Sequence, residues 1–136
     1  MNMRKKIIVF FVLAISSAAY SGYGQPVPSE SFIDTITVIF KTGDSAALGK
    51  YLNSTVELEL FNEDNIYSKS QAELMMKNFF TRNKPKSFKV NHEGNKGNTS
   101  FAIGTLITSS GNFRVSIFMK IENSKHLIHQ IRVERS

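Results

Sequence analysis

Hydrophobic residues in the first third of the chain recur at helical spacing. The apolar residues after Ser29 are separated by steps of three and four, which places them on one face of a helix: Phe32, Ile33, Ile36, Ile39 and Phe40. Gly43 ends this helix, and Asp44 caps a second, short helix that runs toward Tyr51. The pattern therefore predicts two consecutive helices before any strand.

A different pattern, strict alternation of apolar and polar residues, begins at Val56. It predicts a strand over 56–61, a turn over 62–65, and a short return strand at Ile66 and Tyr67. Ser68 and Gln71 then form a capping box for a third helix, which ends before Pro85. Four further strands, separated by turn-forming residues, are predicted over 87–93, 99–109, 113–122 and 126–134.

This order of elements predicts an α+β fold, because helices come early and strands come late. We expect three helices packed on a curved antiparallel sheet of four long strands, with the short hairpin at its N-terminal side. Loops of three residues, 110–112 and 123–125, would join the last three strands. In that register Phe118 lies opposite Gly104, and Arg114 lies opposite Glu134.

The alternation also predicts which side chains of the four long strands face the helices. Most of them are aliphatic or aromatic, and only His92, Thr105 and His129 are polar. A curved sheet covered by helices forms a pocket, so these residues would be pocket residues. The candidate pocket residues are His92, His129, Thr105, Tyr67, Tyr51 and Met119. Large apolar residues on the opposite face are candidates for self-association: Leu106, Phe118 and Ile128. The alternative is that these three are separate apolar residues on the surface of a monomer and form no interface.

The N-terminus has the pattern of a secretory signal. Three basic residues, 4–6, precede an apolar run of nine and then small residues up to Gly24. We expect cleavage before Gln25, with a cut after Ser21 as the alternative. Residues 1–24 are then a signal peptide and 25–136 a single domain, periplasmic or secreted. The chain has no cysteine, so a lipoprotein anchor is excluded and no membrane anchor remains after cleavage; an uncleaved anchor is the other interpretation.

Charge excludes one class of partner. The net charge of +6 falls to +3 when residues 1–24 are removed, and the remaining basic residues are scattered. That charge is ordinary for a small domain, so we expect no nucleic-acid partner.

Several short motifs from Tyr67 onward occur in a familiar order. They are 67–73 (YSKSQAE), 79–80 (FF), Pro85 with Phe88, 92–94 (HEG), 102–104 (AIG), 113–115 (FRV) and 130–134 (QIRVE). Together they are similar to a family of small exported Bacteroidota proteins, a domain of unknown function in the nuclear transport factor 2-like (cystatin-like) superfamily. The resemblance implies a cone-shaped fold and export, and it implies no activity. His129 departs from the family pattern, in which an amide is expected.

The predicted inner face lacks a carboxylate. Ketosteroid isomerase needs an Asp base and a protonated Asp donor in its pocket, whereas here Glu57 and Glu59 alternate against apolar residues and should face solvent. His92 and His129 lie on the first and last long strands, about 14 Å apart in a flat sheet. We therefore expect no catalytic residue, no metal and no cofactor.

The leading hypothesis is a non-enzymatic exported module that binds a small apolar ligand or a protein partner in an apolar pocket. The first alternative is a small lyase or isomerase that uses His92 or His129 as a base. The second is a structural module in which the pocket is filled by its own side chains and the outer sheet face forms a homodimer. An acid within hydrogen-bond reach of either histidine would favour the enzyme.

Overall fold

A computed structural model describes residues 30–136 of the chain. The predicted signal peptide and its cleavage site lie outside the described residues. The elements, in chain order, are α1 (Glu30–Thr42), α2 (Ser45–Gly49), β1 (Leu52–Leu60), β2 (Glu63–Ser68), α3 (Lys69–Arg82), β3 (Pro85–Lys96), β4 (Thr99–Thr108), β5 (Gly111–Glu122) and β6 (Lys125–Arg135).

Local capping residues set the helix boundaries, as the sequence predicts. Gly43 follows α1 in the left-handed region with φ of +70°, a conformation that glycine adopts without a side-chain clash. The Asp44 carboxylate accepts a hydrogen bond of 3.0 Å from the backbone N–H of Ala47 at the start of α2. Ser68 and Gln71 form the predicted capping box of α3. At the other end of α3, the Asn83 side chain donates to the Phe79 carbonyl at 3.0 Å.

All six strands form one sheet in the order β2-β1-β6-β5-β4-β3. The α+β class is confirmed, but the predicted antiparallel sheet of four strands with a separate hairpin is wrong in detail. The hairpin belongs to the same sheet because β1 pairs with β6, and this pairing is parallel. The sheet is therefore mixed, and β6 occupies its interior.

The two turns that join the last three strands are each one residue shorter than predicted. Ser109 and Ser110 join β4 to β5, and Asn123 and Ser124 join β5 to β6. Asn123 and Ser124 both have positive φ, the conformation of a two-residue turn whose twist matches that of the flanking strands.

The shorter first turn moves the register between β4 and β5. Gly104 lies opposite Val115, so the predicted partnership of Gly104 with Phe118 is wrong. The partner of Gly104 thus moves by three residues, and a shift by an odd number of residues exchanges the two faces of a strand. The predicted pair Arg114 and Glu134 is confirmed. A bulge in β6, opposite Phe118 and Met119 of β5, compensates for the shorter second turn.

We call the face of the sheet against which α1 and α3 pack the inner face, and the opposite one the outer face. The buried residues of the inner face are Phe88, Ala102, Leu106, Phe113, Val115, Ile117, Met119, Ile128, Ile131 and Val133. Phe40 of α1 packs its ring against Phe80 of α3 and Phe88 of β3, with centroid distances of 5.6 and 5.2 Å. Phenylalanine rings thus fill the space between helices and sheet. None of the helices in the described range has the length and apolar character needed to cross a membrane.

Candidate functional site

Three of the predicted pocket residues, His92, Thr105 and His129, lie on the outer face instead. His92 is exposed and lies opposite Ile103, because a bulge between Val90 and His92 interrupts the alternation of β3. Thr105 faces outward because of the shifted register of β4, and its hydroxyl accepts a hydrogen bond of 2.8 Å from the Asn91 amide. The prediction that these three residues line an inner pocket is wrong.

The remaining pocket candidates are dispersed. Met119 is buried in the inner core. Tyr67 is half-buried on β2, opposite Val56, and Tyr51 packs edge-on against Phe32 with a centroid distance of 5.3 Å. The two tyrosine rings pack against the core and share no cleft with His129. The inner pocket predicted from the sequence is therefore not assembled from these residues.

The self-association candidates are likewise divided between the two faces. Leu106 and Ile128 are fully buried on the inner face, so neither can meet a second copy. The register shift in β4 accounts for Leu106, and the bulge in β6 accounts for Ile128. Phe118 alone of the three lies on the outer face, half-buried.

A cleft of about 410 Å³ lies on the outer face around Phe118, and we call it the outer cleft. None of the three described helices, α1 to α3, covers this side of the sheet. Its lining combines two phenylalanines with polar and charged side chains. The lining residues are Glu57, Gly94, Asn95, Lys96, Thr99, Ser100, Phe101, Phe118, Met119, Lys120, His129 and Gln130.

The floor of the outer cleft is part of one continuous row across the sheet, which we call the aromatic row; every member of the row except Ile66 lines the cleft. Successive strand pairings connect six residues from edge to edge: Gly94, Phe101, Phe118, Gln130, Glu57 and Ile66. Side chains that are directly opposite on neighbouring strands lie in contact distance. Phe101 and Phe118 are therefore adjacent, and both are half-buried.

Gly94 leaves room for the Phe101 ring. A Cβ atom at position 94 would lie 2.6 Å from Cε1 of Phe101, closer than carbon atoms can approach. The absence of a side chain at Gly94 thus fixes where the Phe101 ring can lie. The sequence motif 92–94 contained this glycine, but only the register assigns it a partner.

His129 enters the outer cleft through the bulge in β6. Phe118 of β5 pairs with Gln130 of β6, and the next residue, Met119, pairs with Ile128. His129 is therefore the extra residue of the bulge and has no partner on β5. The imidazole Nε2 is shielded from solvent and has no hydrogen-bond partner among the described residues. Glu122 Oε1 lies 3.7 Å from it, and the His129 side chain is 24% exposed.

Two carboxylates of β1 lie on the outer face, and one of them, Glu57, lines the cleft. Gln130 Nε2 donates to Glu57 Oε2 at 3.5 Å, and Glu59 pairs with Arg132 Nε at 3.3 Å. A hydrogen bond with Asp64 raises the pKa of Glu57 above its usual 4.5, and desolvation and the Asp64 charge act in the same direction. Both glutamates face outward as predicted, but they are half-buried rather than free in solvent.

A second cleft, of about 290 Å³, opens at the end of the sheet near the start of α1. Its lining includes Phe32, whose ring stacks on His126 with a centroid distance of 4.4 Å and an interplanar angle of 15°. Sequence reasoning did not select His126. In neither cleft, nor elsewhere in residues 30–136, do three or more histidine and carboxylate side chains gather as a metal site would require.

Comparisons with known proteins agree on a family. The model of DUF4783, described as a domain of unknown function, matches residues 33–134. The crystal structure of a DUF4783 family protein from Bacteroides ovatus is 40% identical, with a TM-score of 0.74 over 83% of this chain and 98% of its own. One from Bacteroides uniformis is also 40% identical, with a TM-score of 0.73 over 76% and 95%.

More distant structures share the architecture alone. A nuclear transport factor 2-like protein of unknown function from Silicibacter pomeroyi is 11% identical, with a TM-score of 0.58 over 79% of this chain and 92% of its own. No curated protein matches the chain. The comparisons therefore supply a family and a fold without an activity.

Proposed function

The chain belongs to the DUF4783 family of domains of unknown function, with the nuclear transport factor 2-like fold, and from this premise we propose that it is a non-enzymatic binding module. The ligand is a small molecule with an apolar ring, and it binds in the outer cleft. The signal-like N-terminus supports a location in the periplasm or outside the cell. This proposal moves the site from the inner face, which the sequence favoured, to the outer face.

One observation carries the proposal, namely the lining of the outer cleft. Phe101 and Phe118 form an apolar floor on a face that no helix of residues 30–136 covers. Next to them, the shielded Nε2 of His129 has no hydrogen-bond partner within the same described range. A desolvated polar atom without a partner costs about 1–3 kcal/mol, and a ligand that supplies the partner would recover part of it. Apolar walls with few polar groups are typical of small-molecule sites.

Fluorescence titration with the neutral probe N-phenyl-1-naphthylamine tests the proposal on residues 25–136. We expect saturable binding to the wild type and a loss of affinity of at least tenfold in Phe118→Ala. Phe118→Leu, which keeps apolar volume but removes the ring, should bind with intermediate affinity.

The matched control is Ile107→Ala. Ile107 is 41% exposed, lies on the outer face of the same strand as Phe101, and does not line the cleft. Equal affinity of the wild type and Phe118→Ala, or equal losses in Phe118→Ala and Ile107→Ala, would contradict a site in the outer cleft. Circular dichroism establishes that each variant is folded.

A second candidate function, a lyase or isomerase, is favoured by the Glu122 carboxylate beside His129. The distance of 3.7 Å is outside ordinary hydrogen-bond range, although a small rotation would close it. Because Glu122 approaches Nε2 of His129, the other ring nitrogen, Nδ1, would have to serve as the base. The binding module therefore ranks first.

A substrate panel separates the two functions. Esters, lactones and β,γ-unsaturated ketones are offered to the wild type, His129→Gln and Glu122→Gln. We expect no turnover by any of them. Turnover by the wild type that is lost in both folded variants would replace the binding module with the enzyme.

A further inference from the structure

Charge is unevenly distributed around the outer cleft. The side chains with full charges in its lining are Lys96, Lys120 and Glu57. Glu57 lies toward the β1 side of the aromatic row, where Gln130 donates to its carboxylate. The two lysines lie beside this row, on β3 and β5. The part of the cleft on β3–β5 is therefore basic, whereas the carboxylate on β1 already accepts a hydrogen bond from Gln130.

The two lysines have a defined geometry. Thr99 of β4 pairs with Lys96 of β3 on one side and with Lys120 of β5 on the other. Lys96, Thr99 and Lys120 thus form a second row across three strands, which we call the basic row. Two strand spacings separate the lysine backbones by about 10 Å, so both ammonium groups can approach one anion above Thr99.

The basic row is adjacent to the aromatic one. Lys96 is two residues from Gly94, Thr99 two residues from Phe101, and Lys120 two residues from Phe118. Two residues along a strand correspond to about 7 Å. A ring lying on Phe101 and Phe118 would therefore place a substituent of one or two bonds near the basic row.

We infer that the ligand of the outer cleft is a small aromatic acid, with its ring on Phe101 and Phe118 and its carboxylate at the basic row. The inference rests on the proposed function, because it specifies the ligand of the same site. Lys96 and Lys120 supply charge, and Nε2 of His129, which has no hydrogen-bond partner among residues 30–136, can donate a hydrogen bond when it carries a proton. The Thr99 hydroxyl already donates to the Lys96 backbone carbonyl at 2.7 Å, so it can only accept from a ligand. A neutral aromatic ligand would leave the basic row unused.

Isothermal titration with three naphthalene probes tests the inference: 2-naphthoate, its methyl ester and 2-naphthylmethylamine. We expect 2-naphthoate to bind at least tenfold more tightly than the ester, and the amine to bind least tightly. The advantage of the acid should shrink as salt is raised, because exposed charges are screened. It should be lost in the double variant Lys96→Gln/Lys120→Gln.

The matched control is the double variant Lys86→Gln/Lys89→Gln. Both of these lysines are exposed on β3, as Lys96 is, but neither lines the outer cleft. The change in net charge is the same in both double variants, so a retained preference for the acid in the control supports a local effect. Equal loss in the two double variants would overturn the assignment to the basic row.

The outcomes distinguish this inference from the proposed function. Equal binding of acid and ester overturns the aromatic acid while supporting a neutral ring site. Tighter binding of the amine overturns the sign of the charge. Binding of none of the three probes overturns the proposed function itself. All substituted lysines are on the surface, so loss of the fold does not obscure the result.

Discussion

The two faces of the sheet use aromatic side chains in different ways. On the inner face, Phe113 is fully buried, and its ring contacts those of Phe61 and Phe79. On the outer face, Phe101 and Phe118 lie side by side but remain half-exposed, with lysines and a histidine around them. Strand β5 carries one phenylalanine of each set, Phe113 and Phe118. Helices therefore close the face that provides stability and leave the other available for binding.

The test of this comparison with the largest expected effect on stability replaces one phenylalanine on each face of β5. Phe113→Ala should lower the free energy of unfolding by about 3–5 kcal/mol, since it leaves a cavity among packed rings. Phe118→Ala should lower it by about 1–2 kcal/mol, because the ring is already partly solvated. Urea denaturation of both variants measures the difference. Equal losses would mean that the outer phenylalanine serves the core rather than a ligand.

A pair of glycines gives a smaller and more local test. A Cβ atom at Gly104 would lie 2.6 Å from the Lys89 backbone carbonyl oxygen and 2.6 Å from Cζ of Phe88. Gly104→Ala should therefore cost about 1–3 kcal/mol in overpacking, visible as a lower Tm. Gly94→Ala should cost less, because only the half-exposed Phe101 ring has to move, and it should weaken probe binding in the outer cleft.

The reverse result for these glycines would be informative. Suppose that Gly94→Ala lowers Tm more than Gly104→Ala and leaves probe affinity unchanged. The Phe101 ring would then serve stability rather than ligand binding, which contradicts its proposed role in the outer cleft.

The smallest expected effect concerns Glu57 at the end of the aromatic row. Its pKa is raised in the folded protein, chiefly by the hydrogen bond with Asp64. A raised pKa means that the protonated carboxyl is favoured by folding. This contribution is complete below the usual pKa of 4.5 and is lost as pH rises through the folded value.

Glu57→Gln should therefore be the more stable protein at pH 7, with a Tm higher by about 1–2 °C, and the difference should vanish below pH 4.5. Thermal melts across pH 3.5–7 measure this. A variant that is less stable than the wild type at pH 7 would show that the ionised carboxylate, held by Gln130, is the stabilising form.

The sequence predicted the elements well because the signals are local. The capping residues Asp44 and Ser68 and the glycine at position 43 act within one turn of a helix, so their effect can be predicted from neighbours alone. The residues facing inward on β4 could not be predicted in this way. Phe101, Ile103 and Ile107 make its outer face as apolar as its inner face, so alternation does not distinguish the two.

The candidate site was misplaced for the same physical reason. Two bulges, at Asn91 in β3 and at His129 in β6, change which face a side chain occupies, and a bulge has no hydrophobic signature of its own. His92 and His129 were selected correctly as unusual polar residues but assigned to the wrong face. The aromatic row has one residue on each of the six strands, so it can be recognised only when the strand register is known.

The position of β6 also bears on the order in which the molecule can assemble. This strand lies between β1 and β5, although it comes last among the strands in chain order. Before β6 has been synthesised, β1 with β2 and β3 with β4 and β5 can form only two separate pieces of sheet. Joining them closes a loop from β1 to β6 of about 70 residues, a non-local step that slows folding. We therefore expect the nascent polypeptide to remain without a completed sheet until β6 has been made, a delay that would suit the export proposed above.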